Sequence, residues 1–353
     1  MYKVKDYMTS GLLYANNVVR PHHKQLSQLM IYATTACQSR CRHCSIWKKP
    51  HEHLDMEDIE RVMQSRCVKP HTTVGLEGGE FILHPQAESI LDWFARHHQN
   101  YTLLSNCLLP DRLIDYTLRY RPRHLYLSLD GDRTTYLNMR GCDGYSKVIN
   151  VIETLAGAVP ISLMFCLSPW NSFRDMEYVI GLARSYGIDV RIGIYGTMAF
   201  FETDASLIDA TDFASRIPEV IHQTSENYDY VALYEQWCNG HLRLPCLSIR
   251  NQVVIHAGGN VPLCQNLDCI LGNIHNQSLD EIWNSDAACN MQKQYGGNCN
   301  GCWINFHRKY DIILLRTLES VLPKSIIEKV YGQYQWCEDS RQTYRQFIKC
   351  QKS

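Results

Sequence analysis

Apolar residues in this chain fall in short runs, separated by longer stretches in which they recur at helical spacing. The runs LMIYAT (Leu29 to Thr34), TVGLE (Thr73 to Glu77), YTLLS (Tyr101 to Ser105), HLYLSL (His124 to Leu129), ISLMFC (Ile161 to Cys166) and VRIGIY (Val190 to Tyr195) predict strands. Between them the pattern predicts helices over 55–65, 86–98, 110–119, 145–156 and 174–186. Strands that alternate with helices imply a parallel sheet with right-handed crossovers, an α/β fold. Six strands are fewer than the eight of a closed barrel, so the expectation is a partial barrel or a doubly wound sheet. In either, ligands gather at the carboxyl ends of the strands.

After the sixth strand the pattern changes. Residues 201–241 read as an irregular or helical connection. Over 242–307 cysteine, glycine and asparagine crowd in, and NQVVIHAGGNVPLC (Asn251 to Cys264) reads as a hairpin. From 308 to 353 an amphipathic tail follows, expected as two helices broken at Pro323. The expected division is therefore an N-terminal extension (1–28), a barrel (29–200), the connection, the cysteine-rich domain and the tail.

Composition narrows the classes. Hydrophobic residues make up 45% of the 353, enough for a sizeable core. The formal charge is −1 and no long basic run occurs, so neither nucleic acid nor an anionic membrane surface is an expected partner. No secretory signal and no apolar run long enough to span a bilayer is read, and a cytoplasmic location is expected. Sixteen cysteines in such a chain point to metal ligation or reactive thiols rather than disulfides.

The first strand runs into TTACQSRCRHCSIW, where Cys37, Cys41 and Cys44 are spaced C-x3-C-x2-C. Thiolates at this spacing suit an iron–sulfur cluster with one iron left open, or a zinc site completed by His43. The stretch resembles the signature of the radical S-adenosylmethionine (SAM) superfamily. That resemblance implies a partial (β/α)6 TIM-like barrel. It also implies a [4Fe-4S] cluster on Cys37, Cys41 and Cys44 whose free iron chelates the amino and carboxylate groups of SAM. His43 stands where that family often has an aromatic residue.

Further motifs follow in the family's order. EGGEF (Glu77 to Phe81) resembles its GGE motif, which implies Gly78, Gly79 and Glu80 at the SAM amino group. LYLSLDGDRTTYLNMRG (Leu125 to Gly141) resembles its fourth-strand segment, placing Ser128 and Asp130 near the SAM ribose and Arg140 near the carboxylate. Asn171 in SPWN matches an asparagine that often touches SAM, and VRIGIYG is placed along the adenine. In SNC, Cys107 stands where relatives often have glycine, which either narrows the loop or brings a thiol towards the site.

A second group, Cys246, Cys264, Cys299 and Cys302, suits either a four-thiolate zinc or a further cluster. With GNIHNQSLDEIW between them, the pattern resembles the SPASM/Twitch appendage of radical SAM enzymes, of the shorter type with one auxiliary [4Fe-4S] cluster. The resemblance implies an enzyme driven by a flavodoxin or ferredoxin-type reductant. It would cleave SAM reductively to a 5′-deoxyadenosyl radical that takes hydrogen from a substrate C–H bond. Modification of a ribosomally made peptide or a protein side chain is the first expectation. The 28 residues before the first strand are short for a separate leader-peptide domain. Dehydrogenation or epimerisation of a small molecule, such as a cyclitol or aminoglycoside precursor, is the alternative. A non-catalytic zinc- or cluster-stabilised binding protein is the reading of another class. Cys107, Cys142 and Cys166 lie at or near strand ends and are candidate hydrogen donors for an epimerisation.

Overall fold

The structure, a computed structural model, describes residues 4–196, 198–203, 228–267 and 269–336; for residues 4–10 and 228 it describes the backbone only. The end of the tail, with Cys337 and Cys350, and most of the connecting segment lie outside the described residues.

The first six strands are β1 Gln28–Thr34, β2 Thr73–Gly78, β3 Tyr101–Ser105, β4 His124–Ser128, β5 Ile161–Leu167 and β6 Asp189–Ile194. The helices among them are α2 Met56–Met63, α3 Ala87–His97, α4 Pro110–Tyr120, α5 Arg133–Arg140, α6 Tyr145–Leu155 and α7 Phe173–Tyr186, preceded by α1 Val4–Val19. All six strands pair in parallel with their sequence neighbours. The predicted α/β architecture with a partial TIM-like barrel is the observed one.

Local chemistry sets the element ends. The Asp55 carboxylate caps α2 by accepting from the Asp58 N–H, and α7 opens on a reciprocal Ser172–Asp175 capping box. Gly187 closes α7 in the left-handed conformation, at φ +65°. Burial along β3, β4 and β6 alternates. Leu103, Leu125, Leu127, Val190 and Ile192 are fully buried, while Leu104, Ser128 and Gly193 on the opposite face line a cavity. Alternation in a parallel sheet means that one face packs on helices and the other surrounds an interior space.

The remaining strands are β7 Gln252–Ile255, β8 Asn260–Pro262 and β9 Ile270–Asn273. The remaining helices are α8 Tyr228–Ala232, α9 Tyr234–Cys238, α10 Leu279–Trp283, α11 Asp286–Gly296, α12 Asn305–Val321 and α13 Lys324–Tyr331. Here the hairpin expectation needs correction. Gln252–Ile255 join the barrel sheet beside β1, in parallel register from Gln28 opposite Gln252 to Ile31 opposite Ile255. The antiparallel pair is β8 with β9. The chain does reverse after β7, where the His256 N–H donates to the Asn260 carbonyl. QVVI is buried at every position, so a place inside the sheet satisfies it better than a free hairpin arm. The cysteine-rich region thus shares its first strand with the barrel.

Three helices were not expected, α1, α5 and α11. α1 is held by Asn17, whose buried amide donates to the carbonyls of Gln25 and Arg250 and to Asn251 Oδ1. α5 follows a strong N-cap, with Asp132 Oδ1 accepting from the N–H groups of Thr134 and Thr135. The tail breaks where expected, with Pro323 between α12 and α13. No described helix is long and apolar enough to cross a membrane.

Candidate active site and second cysteine cluster

At the carboxyl ends of the strands lies a cavity of about 300 Å³, bounded by residues of all six barrel strands and their loops. That is within the range of small-molecule sites. Cys37, Cys41, Cys44, Gly78, Gly79, Glu80, Ser128, Asp130 and Arg140 all line it, residues spread over 104 positions of sequence.

The loop after β1 carries the three cysteines and is held from two sides. On one side, the Gly79 and Glu80 N–H groups donate to the carbonyls of Thr34 and Ala36 at 2.7 and 2.8 Å. A Cβ on Gly79 would lie 2.3 Å from the Ala36 oxygen, and one on Gly78 2.4 Å from the Thr34 oxygen. The two glycines therefore let β2 approach the cysteine loop itself. On the other side, the Arg40 and Arg42 N–H groups donate to the Arg140 and Met139 carbonyls, so the end of α5 clamps the loop.

Glu80 is 2% exposed. Its carboxylate accepts from the Ser105 hydroxyl at 2.9 Å and from the Asn106 N–H at 2.7 Å. Burial nonetheless pushes its pKa up to about 7, against the opposing pull of those hydrogen bonds. Asn106 was not singled out from the sequence, and the structure makes it a hub. Its amide nitrogen lies 3.7 Å from Cys37 Sγ, while its amide oxygen accepts from Gln38 Nε2 and from the Leu108 N–H. The signal was its place beside Ser105 at the end of a strand. The next residue, Cys107, takes a left-handed backbone at φ 63° and is fully buried. The thiol thus occupies a glycine-like turn and points into the core, outside the cavity wall.

Arg140 is no surface charge. Its Nε and Nη2 donate to Asp130 Oδ2 at 2.7 and 2.5 Å, with side-chain exposures of 8% and 0%. Nη1 comes within 3.9 Å of Cys41 Sγ. Asp130 Oδ1 also accepts from the Cys166 N–H, so the pair ties β4, α5 and β5 together beside the cysteines. Asn171 stands behind the wall. Its amide donates to the carbonyls of Asp130 and Cys166 and accepts from the Ser168 N–H, which braces the loop after β5. Of the three candidate donor thiols only Cys166 lines the cavity; Cys142 faces Ser39.

Sequence reasoning also passed over Glu77. It lines the cavity, and burial pushes its pKa up to about 7 against the pull of Arg191. Tyr32 is a second such residue. It lines the cavity, and its hydroxyl accepts from Gln265 Nε2 at 2.5 Å; Gln265 follows Cys264.

Cys246, Cys264 and Cys299 share one apolar cluster, and Cys302 is electrostatically coupled to all three. Cys269 belongs to the same cluster, where it faces Met291, and Cys289 faces Lys24 and the Pro21 carbonyl. The group touches the cavity wall, because Ile304, Asn305 and Phe306 line the cavity directly after Cys302 and Trp303.

Both groups suit clusters. Burial pushes Cys37 up to about 12, Cys44 to about 11 and Cys264 to about 11, and raises Cys41, Cys246 and Cys302 as well. A thiolate in such surroundings needs a cation, which ligated iron supplies while displacing the proton. Among the described residues no three His, Cys, Asp or Glu side chains converge as ligands of a single metal ion do. A cubane spreads its cysteines over separate irons and asks for a wider arrangement. A buried guanidinium nitrogen beside the second group, Arg308 Nη2, has no partner among the described residues.

Comparison with known families assigns residues 31–171 to the radical SAM superfamily and residues 246–303 to SPASM, an iron-sulfur cluster-binding domain. No curated protein sequence matches the chain significantly. Among solved structures, Streptococcus suis SuiB bound to S-adenosylmethionine superposes with a TM-score of 0.65 at 14% identity, over 86% of this chain and 77% of that one. SuiB bound to its precursor peptide SuiA gives 0.65 at 13% identity, over 88% and 77%. The protein anSMEcpe with AdoMet and the Kp18Cys peptide gives 0.56 at 15%, over 87% and 100%. At such identities the likeness is one of fold.

Proposed function

We propose, from the premise that this chain belongs to the radical SAM superfamily and carries a SPASM domain, that it modifies a peptide or protein side chain by removing hydrogen from a C–H bond. Its cofactors are those of the family, a [4Fe-4S] cluster with SAM and an auxiliary iron-sulfur cluster. When bound and reduced, the SAM-binding cluster supplies the electron that cleaves SAM to a 5′-deoxyadenosyl radical.

In this reading Cys37, Cys41 and Cys44 hold the SAM-binding cluster. Cys246, Cys264, Cys299 and Cys302 hold the auxiliary one. Gly78, Gly79 and Glu80 keep the cysteine loop in register, and Arg140 with Asp130 offers charge beside Cys41. Ser128 and the edge of β6 line the space for the nucleoside. Asn171 acts through Asp130 and Cys166 rather than by touching SAM. The apolar wall, with Met164, Phe165, Ile194, Met198 and Phe201, keeps water from a reactive radical. An electron donor of flavodoxin or ferredoxin type completes the system.

One observation carries the reading: both cysteine groups border one cavity, the first directly and the second through Ile304–Phe306 and Tyr32. A substrate radical formed there lies next to a group able to accept its electron. Peptide as substrate class is supported by the fold shared with SuiB bound to SuiA and with anSMEcpe bound to Kp18Cys.

The test is anaerobic reconstitution with iron and sulfide, then reduction, addition of SAM and assay of 5′-deoxyadenosine. About eight irons per chain, as two cubanes hold, with 5′-deoxyadenosine formed, is the expected result. Full loading without cleavage would overturn it in favour of a binding role. A second reading, epimerisation, is favoured by Cys166 in the cavity wall. Deuterium from solvent in the product would mark it.

A further inference from the structure

Arg308 is among the largest fully buried side chains of the molecule, at 0% exposure, although it is charged. It sits one turn into α12, six residues after Cys302. Nε donates to the Cys302 carbonyl at 2.8 Å and Nη1 to the Leu244 carbonyl at 2.6 Å. Asp311, one turn on, lies 3.3 Å from Nη1. Its other oxygen accepts from the N–H groups of Leu247 and Ser248, next to Cys246. The pair thus grips both limbs that carry the second cysteine group. Nη2 is buried with no partner among the described residues.

A buried guanidinium nitrogen left without an acceptor is costly, because it has lost its water and gained nothing in return. Fold integrity does not need this one, since Nε and Nη1 already tie the two limbs. The electrostatic neighbours of the guanidinium, after Asp311, are Cys302, Cys246 and Cys299. Nε holds the Cys302 carbonyl while the Asp311 carboxylate faces the N–H groups just after Cys246, so the positive end of the pair is turned to Cys302.

We infer that Arg308 sets the reduction potential of the auxiliary cluster: its unpartnered Nη2 donates to a ligand sulfur on the Cys302 side, and its charge favours the reduced, more negative cluster. The inference rests on the reading that Cys246, Cys264, Cys299 and Cys302 are the ligands. Charge and hydrogen bonds at sulfur are main determinants of such potentials. A raised potential suits a cluster that receives an electron from substrate. Arg308 is a positioning residue here, since it reaches the reaction only through the cluster.

The experiment uses the full chain, reconstituted anaerobically, with each cluster's reduction followed by EPR against solution potential. In Arg308→Gln the ratio of reduced to oxidised auxiliary cluster at fixed potential should fall at least tenfold, about 59 mV for a one-electron couple. The ratio at the SAM-binding cluster should stay unchanged. Arg308→Lys, which keeps the charge, should recover part of the shift. An unmoved ratio in the glutamine variant with about eight irons present overturns the inference, as does a lysine variant that recovers nothing. The double variant Cys299→Ala/Cys302→Ala tests the reading beneath. If it keeps about eight irons, the ligand assignment fails first. If it falls to about four while Arg308→Gln leaves the potential alone, only the role of Arg308 fails. Should Arg308→Gln not load, wild-type protein grown on ¹⁵N-arginine decides. A nitrogen coupling in the spectrum of the reduced auxiliary cluster supports the inference, and its absence overturns it.

Discussion

Replacing Asp130 by asparagine keeps the shape of the side chain and an acceptor for the Cys166 N–H, but leaves the buried Arg140 guanidinium without its counter-charge. The pair is held at 2.5–2.7 Å with exposures of 8% and 0%. Opposite charges about 4 Å apart attract by about 4 kcal/mol at an effective dielectric of about 20. Removing one partner of a buried pair costs about 3–5 kcal/mol. Asp130→Asn should therefore lose about 3 kcal/mol, a large part of a total stability of about 5–15 kcal/mol. Removing both charges should cost less than removing Asp130 alone, because no uncompensated ion stays buried. The assay is anaerobic urea denaturation of wild type, Asp130→Asn, Arg140→Met and the double variant, as a thermodynamic cycle. A coupling of about 2 kcal/mol is expected, within the range for residues in contact. Single effects that simply add, within about 0.5 kcal/mol, would refute the reasoning. Because the Arg140 and Met139 carbonyls hold the cysteine loop, Asp130→Asn should also lower the iron bound near Cys37, Cys41 and Cys44, read by iron count.

Three further outcomes are expected. Gly79→Ala puts a methyl 2.3 Å from the Ala36 oxygen, so the cysteine loop must shift; iron analysis should show the SAM-binding cluster lost and the auxiliary one kept. For Glu77, burial raises the folded pKa to about 7 from the usual 4.5, so the folded state holds the proton more tightly. Its contribution is then present below the unfolded pKa and is lost as pH rises through about 7. Glu77→Gln should match wild type in stability at the acid end of that window and exceed it at pH 8, and denaturation at the two pH values checks this. Cys166→Ala should abolish solvent-deuterium incorporation if the reaction is an epimerisation, while Cys107→Ala and Cys142→Ala should not. Incorporation that survives in Cys166→Ala would exclude this thiol as the donor.

The alternation of strands and helices was legible from the residues alone, because burial on a parallel sheet imposes short apolar runs with helical spacing between them. The first cysteine group was legible in the same way, since thiols three or four residues apart on one loop stay close in any fold, whereas Cys246, Cys264 and Cys299 meet only through tertiary packing. The order of the motifs carried the family. Which neighbours each motif residue meets was set only by the fold. Glu80 and Asn171 carry polar atoms that serve a ligand or a neighbouring loop equally well, and only the fold supplies their partners in neighbouring loops at 2.7–3.2 Å. Gly78 and Gly79 signal a close approach, and the structure says that what approaches is the backbone of Thr34–Ala36. β7 was misread because a buried run of four apolar-rich residues fits a hairpin or a sheet equally, and the free edge of β1 is 224 residues away in sequence. Arg308 was invisible for the same reason. A charged residue on an amphipathic helix reads as solvated until the fold closes over it, and only then does its unpartnered nitrogen point to the cluster beside it.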